Sequence, residues 1–266
     1  MSFKIIVCVK QVFDPDTPSS AFVVDEAAKR VVPAQGIPPV VNGFCENAVE
    51  AALKIKEIIP NTEVVILSLG TGFVMDVMKK PLSMGADKMI LVENPEEESS
   101  DPFKSATILS SAIKKIGDFN LIICGQQASD WDNAQVPLGI SELLDIPCIT
   151  GARAIEVKEE KVLAHSSNPD GYEVIQASLP TLITVNNEIG EPRYPTLRGI
   201  MQASRKSPEL WSLEDLDIEI SQIQNAMTLT ELYIPVSDKN CEIIEGESDE
   251  DSGRLLALRL REEKII

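Results

Sequence analysis

Four short stretches, Lys4–Val9, Glu63–Leu69, Lys88–Val92 and Leu121–Cys124, are apolar at nearly every position and rich in β-branched residues. That pattern belongs to strands covered on both faces. Between them the period changes to that of a helix in Glu46–Ile59, Val74–Met84 and Phe103–Ile116, and Gln135–Leu144 continues it after the fourth strand. Strand and helix alternate four times, which predicts a parallel sheet with helices on both faces: a doubly wound α/β fold. Pro81 removes a backbone donor inside the second helical stretch, so a kink or break is expected there. Phe22–Val32 reads as an inserted hairpin. Ala152–Val185, interrupted by the turn Asn168–Gly171, reads as two or three antiparallel strands at a sheet edge.

After Ser207 the pattern loses a single period. Trp211, Leu213, Leu216, Ile218, Ile220, Ile223, Met227, Leu229, Leu232 and Ile234 suit an arm laid over another surface, ending in a helix over Asp249–Glu263. Acids at the start of that helix and Arg254, Arg259 and Arg261 towards its end follow the helix dipole. The expected organisation is a nucleotide-binding domain over residues 1–207 and an acidic arm over 208–266. A helix packed on its own domain accounts for the tail equally well.

Charge and cysteine usage narrow the function. The chain has 266 residues and a formal net charge of −18, more than half of it after Ser207. Such a charge repels phosphate backbones and anionic headgroups, so neither a nucleic-acid partner nor membrane insertion is expected. The apolar run Ile5–Val9 is shorter than a secretory core of roughly 7–15 residues, which points to the cytoplasm. Cys8, Cys45, Cys124, Cys148 and Cys241 form no CxxC or Cys/His pair, so no zinc site or disulfide framework is expected. His165 is the sole histidine and sits in a hairpin stretch without a neighbouring nucleophile. No Walker A loop or GxGxxG turn is present.

Three strand-to-helix turns remain as candidate chemistry. Gly125-Gln126-Gln127-Ala128-Ser129-Asp130-Trp131-Asp132-Asn133-Ala134-Gln135-Val136 follows the fourth strand, where ligands of doubly wound sheets bind and a helix N-terminus offers N–H groups to phosphate. The amides of Gln126, Gln127, Asn133 and Gln135 add neutral hydrogen bonds. Asp130 and Asp132 can accept from ribose hydroxyls or cap the helix. Asn42-Gly43-Phe44-Cys45-Glu46 opens the first helix, with Asn42 as N-cap and Gly43 admitting close backbone approach; Ser68–Gly72 supplies a third turn. An N-capped loop without ligand explains each turn alone, and three converging turns favour a nucleotide.

These residues also resemble a known family. VCVKQ at Val7–Gln11, NGFCENAVEAAL at Asn42–Leu53, Leu67–Gly70 before Met84–Asp87, GQQASDWDNAQ, EPRYPTL at Glu191–Leu197 and the tail Ile243–Glu247 together resemble the small (beta) subunit of electron-transfer flavoproteins over almost the whole chain. The resemblance implies a Rossmann-like fold of the adenine-nucleotide alpha-hydrolase type. It implies a heterodimer with a larger alpha subunit carrying FAD, and no catalytic side chain in this chain. It also implies a nucleotide site at Cys8, Val9, Asn42, Gly43, Phe44, Cys45, Leu69, Gly70 and the Gly125–Val136 loop. A docking loop over residues 191–198 is implied, with Tyr194 and Leu197 meeting a flavin-containing dehydrogenase of the acyl-CoA type. Family members divide into those holding structural AMP and flavin-bifurcating ones holding a second FAD, with NAD bound nearby. Asn133-Ala134-Gln135-Val136 and Lys10-Gln11-Val12 are closer to the bifurcating form. Trp131, Phe13 and Gly43 depart from it, standing where a small residue, a proline and a proline are usual. An adenine-nucleotide regulatory domain and a scaffold subunit with a vestigial site are the alternatives.

Overall fold

The computed structural model describes residues 3–94, 101–218, 223, 225–235 and 241–266. The chain forms two compact units, one reaching Leu232 and the other Tyr233–Ile266. In the first, the strands are β1 (Lys4–Val9), β2 (Gln11–Val12), β3 (Val23–Asp25), β4 (Arg30–Val32), β5 (Val40–Val41), β6 (Glu63–Gly70), β7 (Lys88–Glu93), β8 (Leu121–Gly125), β9 (Cys148–Lys158), β10 (Lys161–Asn168), β11 (Gly171–Ser178), β12 (Thr181–Val185) and β13 (Glu209–Trp211). The helices are α1 (Gly43–Ile58), α2 (Met75–Met78), α3 (Lys80–Met84), α4 (Pro102–Ile116), α5 (Val136–Leu144) and α6 (Leu197–Arg205). The second unit contains α7 (Asp249–Glu262), N-capped by Ser248 and carrying the acid-first, Arg-last pattern expected of it.

A nine-stranded sheet in the order β11-β10-β9-β12-β8-β1-β6-β7-β13 organises the first unit. β1 runs parallel to β6 and β8, and β12 parallel to β8 and β9. Alternation along each strand divides the core. Ile5, Val7, Val64, Ile66, Leu121 and Ile123 pack with α1 and α3, while Ile6, Val65, Leu67, Ile122 and Cys124 pack with α4 and α5. Burial on both faces is why these strands read as unbroken apolar runs. The fold is the doubly wound, mainly parallel Rossmann-like α/β architecture that the alternation predicts.

Several local expectations hold. β3 and β4 pair as the inserted hairpin, and the second helical stretch breaks into α2 and α3 with Pro81 at the start of α3. Residues 148–178 form an antiparallel meander. Others differ. β12, grouped in the sequence with that meander, inserts as a parallel strand between β9 and β8, because all five of its residues are buried. α6 was not predicted; Thr196 caps it by accepting from the Gly199 N–H at 3.0 Å.

The arm also begins later than the expected boundary at 207/208. Glu209–Trp211 pairs in parallel with β7, covering an edge that would otherwise expose unpaired backbone groups. Leu213, Leu216 and Ile223 are buried in the core on the α4 face. These three residues thus have a place on their own domain, contrary to the expectation that they await another surface, whereas Met227 and Ile234 are exposed. Ile220 lies outside the described residues.

Ile123 of β8 is fully buried in the centre of the sheet. Ile123→Ala is expected to lower unfolding stability by about 3 kcal/mol, read as a shifted urea midpoint with an unchanged slope.

Candidate functional site

The chain direction reverses its spread across the sheet at β1: α1 leads out to β6 on one side, and α4 leads back to β8 on the other. Beyond the carboxyl ends of β1 and β8, at this switch point, lies a cavity of about 380 Å³. Cys8 and Val9 line it from β1, Cys45 from α1, and Leu69 and Gly70 from β6. Gly125, Gln127, Asp130, Asn133, Ala134, Gln135 and Val136 line it from the end of β8 to the start of α5. The three turns singled out in the sequence therefore converge.

Five expected residues do not line the cavity. Asn42, at the N-cap position of α1, makes no capping bond. Its Nδ2 instead donates to the Gln127 carbonyl at 2.8 Å and to Cys45 Sγ at 3.2 Å, while its Oδ1 accepts from the Ser129 N–H at 3.1 Å. Buried at the root of both turns, it joins them. Phe44 contributes backbone: a Cβ on Gly125 would lie 2.7 Å from the Phe44 carbonyl carbon and 2.9 Å from the Cys45 nitrogen. The close approach read at Gly43 thus belongs to Gly125, since a Cβ on Gly43 would meet nothing within 4 Å. Gln126 donates its N–H to the Val185 carbonyl at 2.9 Å, fastening β8 to β12. Asp132 accepts from Gln127 Nε2 at 2.8 Å and has φ +51°, so it shapes the loop rather than capping α5.

Asp130 pairs with Lys10 at 2.7 Å, tying the loop to the residue after β1. Among the described lining residues Lys10 is the one cation and Asp130 the one carboxylate. The sequence reading placed neither Lys10 nor Phe13, Phe73 and Ser105 in the site, though all four line it. Ser105 was accessible to topology, because α4 starts at the same sheet edge.

Two thiols that line the site, Cys45 and Cys124, are raised rather than activated. Burial raises Cys45, partly offset by the Asn42 hydrogen bond. A hydrogen bond with Cys8 and then burial push Cys124 well up, and burial raises Cys148. All five cysteines are unpaired, Cys241 exposed and Cys8 and Cys148 half-buried. His165 stacks on Tyr172, ring centres 4.9 Å apart, in the β10–β11 hairpin outside the cavity. Among the described residues no group of three or more His, Cys, Asp or Glu side chains is placed to hold a metal ion. No described helix is long and apolar enough to cross a membrane.

A second feature stands outside the cavity. Tyr194 is 94% exposed and Leu197, the first residue of α6, 77% exposed. The segment before them is held to α1: Arg193 donates to Glu50 at 2.7 and 3.0 Å and to Glu57 at 2.6 Å, Asn47 donates to the Gly190 carbonyl, and Lys54 to that of Ile189. Burial alone would raise the Glu50 carboxyl, but the hydrogen bonds and charge of Arg193, with Lys54, hold it below the usual glutamate range.

The group depressed in the folded state contributes stability above its unfolded value, and that contribution is lost as pH falls through the folded one. Glu50→Gln is expected to destabilise the protein by about 2 kcal/mol at neutral pH, with the gap to wild type closing below about pH 4, as read by urea unfolding across pH.

Comparison with known proteins places this geometry. The electron transfer flavoprotein domain matches residues 30–216. The caffeyl-CoA reductase-Etf complex subunit CarD of Acetobacterium woodii is 32% identical over 266 residues, covering 99% of this chain and all of that one. The electron transfer flavoprotein subunit beta of Megasphaera elsdenii is 41% identical over 209 residues, 76% of each chain. That of Bacillus subtilis is 30% identical over 264 residues, 98% of this chain and 99% of that one. With its sheet, its converging turns and these relatives taken together, the chain belongs to the electron transfer flavoprotein family, among the beta subunits.

Proposed function

We propose that this beta subunit holds FAD in the cavity at the β1/β8 switch point and passes electrons between NADH, the flavin of an alpha subunit and a partner dehydrogenase. The observation that carries the reading is the convergence of three turns on one cavity at the place where doubly wound sheets take nucleotides. The residues present fit such a group. Val136, Leu109 and Ile140 offer apolar surface for a ring, Gln127, Asn133 and Gln135 offer neutral amides, and Lys10 offers a cation to phosphate. Bound there, FAD supplies acceptance of hydride from NADH and onward transfer of single electrons. The chain's own residues bind and orient, and burial works against the thiolate form of Cys45 and Cys124.

Val136 at the start of α5 supports FAD over AMP, because it leaves no hydroxyl where a threonine would offer one to phosphate. The Lys10–Asp130 pair favours the second reading, a structural AMP, since it ties together two walls of the cavity and suits a shorter occupant. Tyr194 and Leu197, exposed on a segment anchored to α1, are read as the surface that meets a flavin-containing dehydrogenase. The name of the Acetobacterium woodii relative, a subunit of a reductase complex acting on an acyl-CoA, supports a partner of that class and an assembly beyond the heterodimer. The setting is cytoplasmic, and the second unit with α7 is read as the part that packs on the alpha subunit.

Denaturing the purified heterodimer and identifying the released nucleotides tests the occupant. Two FAD and no AMP per heterodimer is the expected result; one FAD with one AMP establishes the structural-nucleotide type and removes NAD from the scheme. Asn42→Ala is expected to leave the fold intact but weaken nucleotide retention about tenfold in equilibrium dialysis, because the Gln127–Ser129 turn loses its tie to α1.

A further inference from the structure

Two large aromatic side chains reach the cavity from separate segments and stay uncovered. Trp131, in the turn after β8, is 37% exposed, and Phe13, just after β2, is 39% exposed; both line the cavity. Isolated apolar residues on a surface need no explanation, whereas two aromatics meeting at one cavity leave apolar faces for a ligand to cover. Trp131 is also held in place. Its N–H and that of Asp132 both donate to the Ala128 carbonyl, at 3.2 and 2.8 Å. Its two neighbours are fixed as well, Asp130 by Lys10 at 2.7 Å and Asp132 by Gln127 at 2.8 Å. A turn so tightly bonded fixes where the indole is rooted, so the ordering entropy of that backbone is spent on folding rather than on binding.

We infer that Trp131, with Phe13, is the stacking surface of this cavity, covering the face of a planar heteroaromatic ring of the bound nucleotide. This deepens the nucleotide reading and rests on it. Stacking recognises a π face without a hydrogen-bond code, so either isoalloxazine or adenine satisfies it, and the titrant decides which.

The test uses the full chain stripped of nucleotide, titrated separately with FAD and with AMP. Trp131 and Trp211 are the two tryptophans, so Trp211→Phe leaves Trp131 as the reporting emitter. Quenching of that emission on binding is expected. Trp131→Gly should weaken binding about tenfold in equilibrium dialysis and Trp131→Phe no more than about threefold. A circular-dichroism melt confirms that each variant folds. FAD carries both rings, so a parallel titration with FMN decides: quenching by FMN assigns the stacked ring to isoalloxazine, and quenching by AMP but not FMN assigns it to adenine. Wild-type affinity in Trp131→Gly, or unquenched Trp131 emission at saturation, overturns the stacking role and leaves the nucleotide site standing. Failure of the wild-type chain to bind either ligand overturns the nucleotide reading, and the stack with it.

Discussion

The end of β8 and the first turn of α1 meet so closely that residue 125 has no space for a side chain: a Cβ there would stand 2.7 Å from backbone carbon of Phe44. Everything at the cavity depends on this contact. It sets the carboxyl end of the strand against the opening of the helix, so that Cys45 and Gly125 become adjoining walls of one site. Asn42 then converts proximity into a joint, donating to one residue of the following loop and accepting from another. A buried amide with its bonds made in this way specifies one arrangement, because any other leaves polar atoms unsatisfied.

From that joint the loop to α5 is built by short-range bonding. Asp132 and Ala134 both adopt positive φ, at 51° and 53°, a backbone that non-glycine residues take up only when the surroundings demand it. The demand comes from Gln127, which bonds Asp132, and from Lys10, which draws Asp130 towards the end of β1. These constraints fix the backbone from which Trp131 reaches the cavity.

α1 links the cavity of the first unit to its exposed 194–197 segment. Its opening turn carries Asn42 and Cys45 at the cavity, and its later turns carry Asn47, Glu50, Lys54 and Glu57, which bind residues 189–193. One helix thus positions both the cavity wall and the segment presenting Tyr194 and Leu197. Glu50 is almost fully buried, yet its charge is retained because Arg193 supplies two hydrogen bonds and a third from its backbone N–H.

What the sequence by itself determined was whatever local periodicity and turn chemistry encode. Burial on two faces forces unbroken apolar strands, so β1, β6, β7 and β8 and the parallel sheet were legible. The switch-point rule then located the turns holding Cys45 and Leu69 and the loop after Gly125, and the family resemblance added Cys8. Only the tertiary structure decided which residues act at a distance from their neighbours in the chain. Asn42 reads as an N-cap because capping is a local rule, yet two of its three side-chain partners lie more than eighty residues away. Lys10 and Phe13 become site residues only once β1 lies beside β8, and the strand at 181–185 shows its parallel register only between β9 and β8. Glu209–Trp211 pairs with the edge at β7, and Leu213, Leu216 and Ile223 fill gaps above α4; such a pattern is set by the surface these residues cover, and no stretch of eleven residues contains that surface.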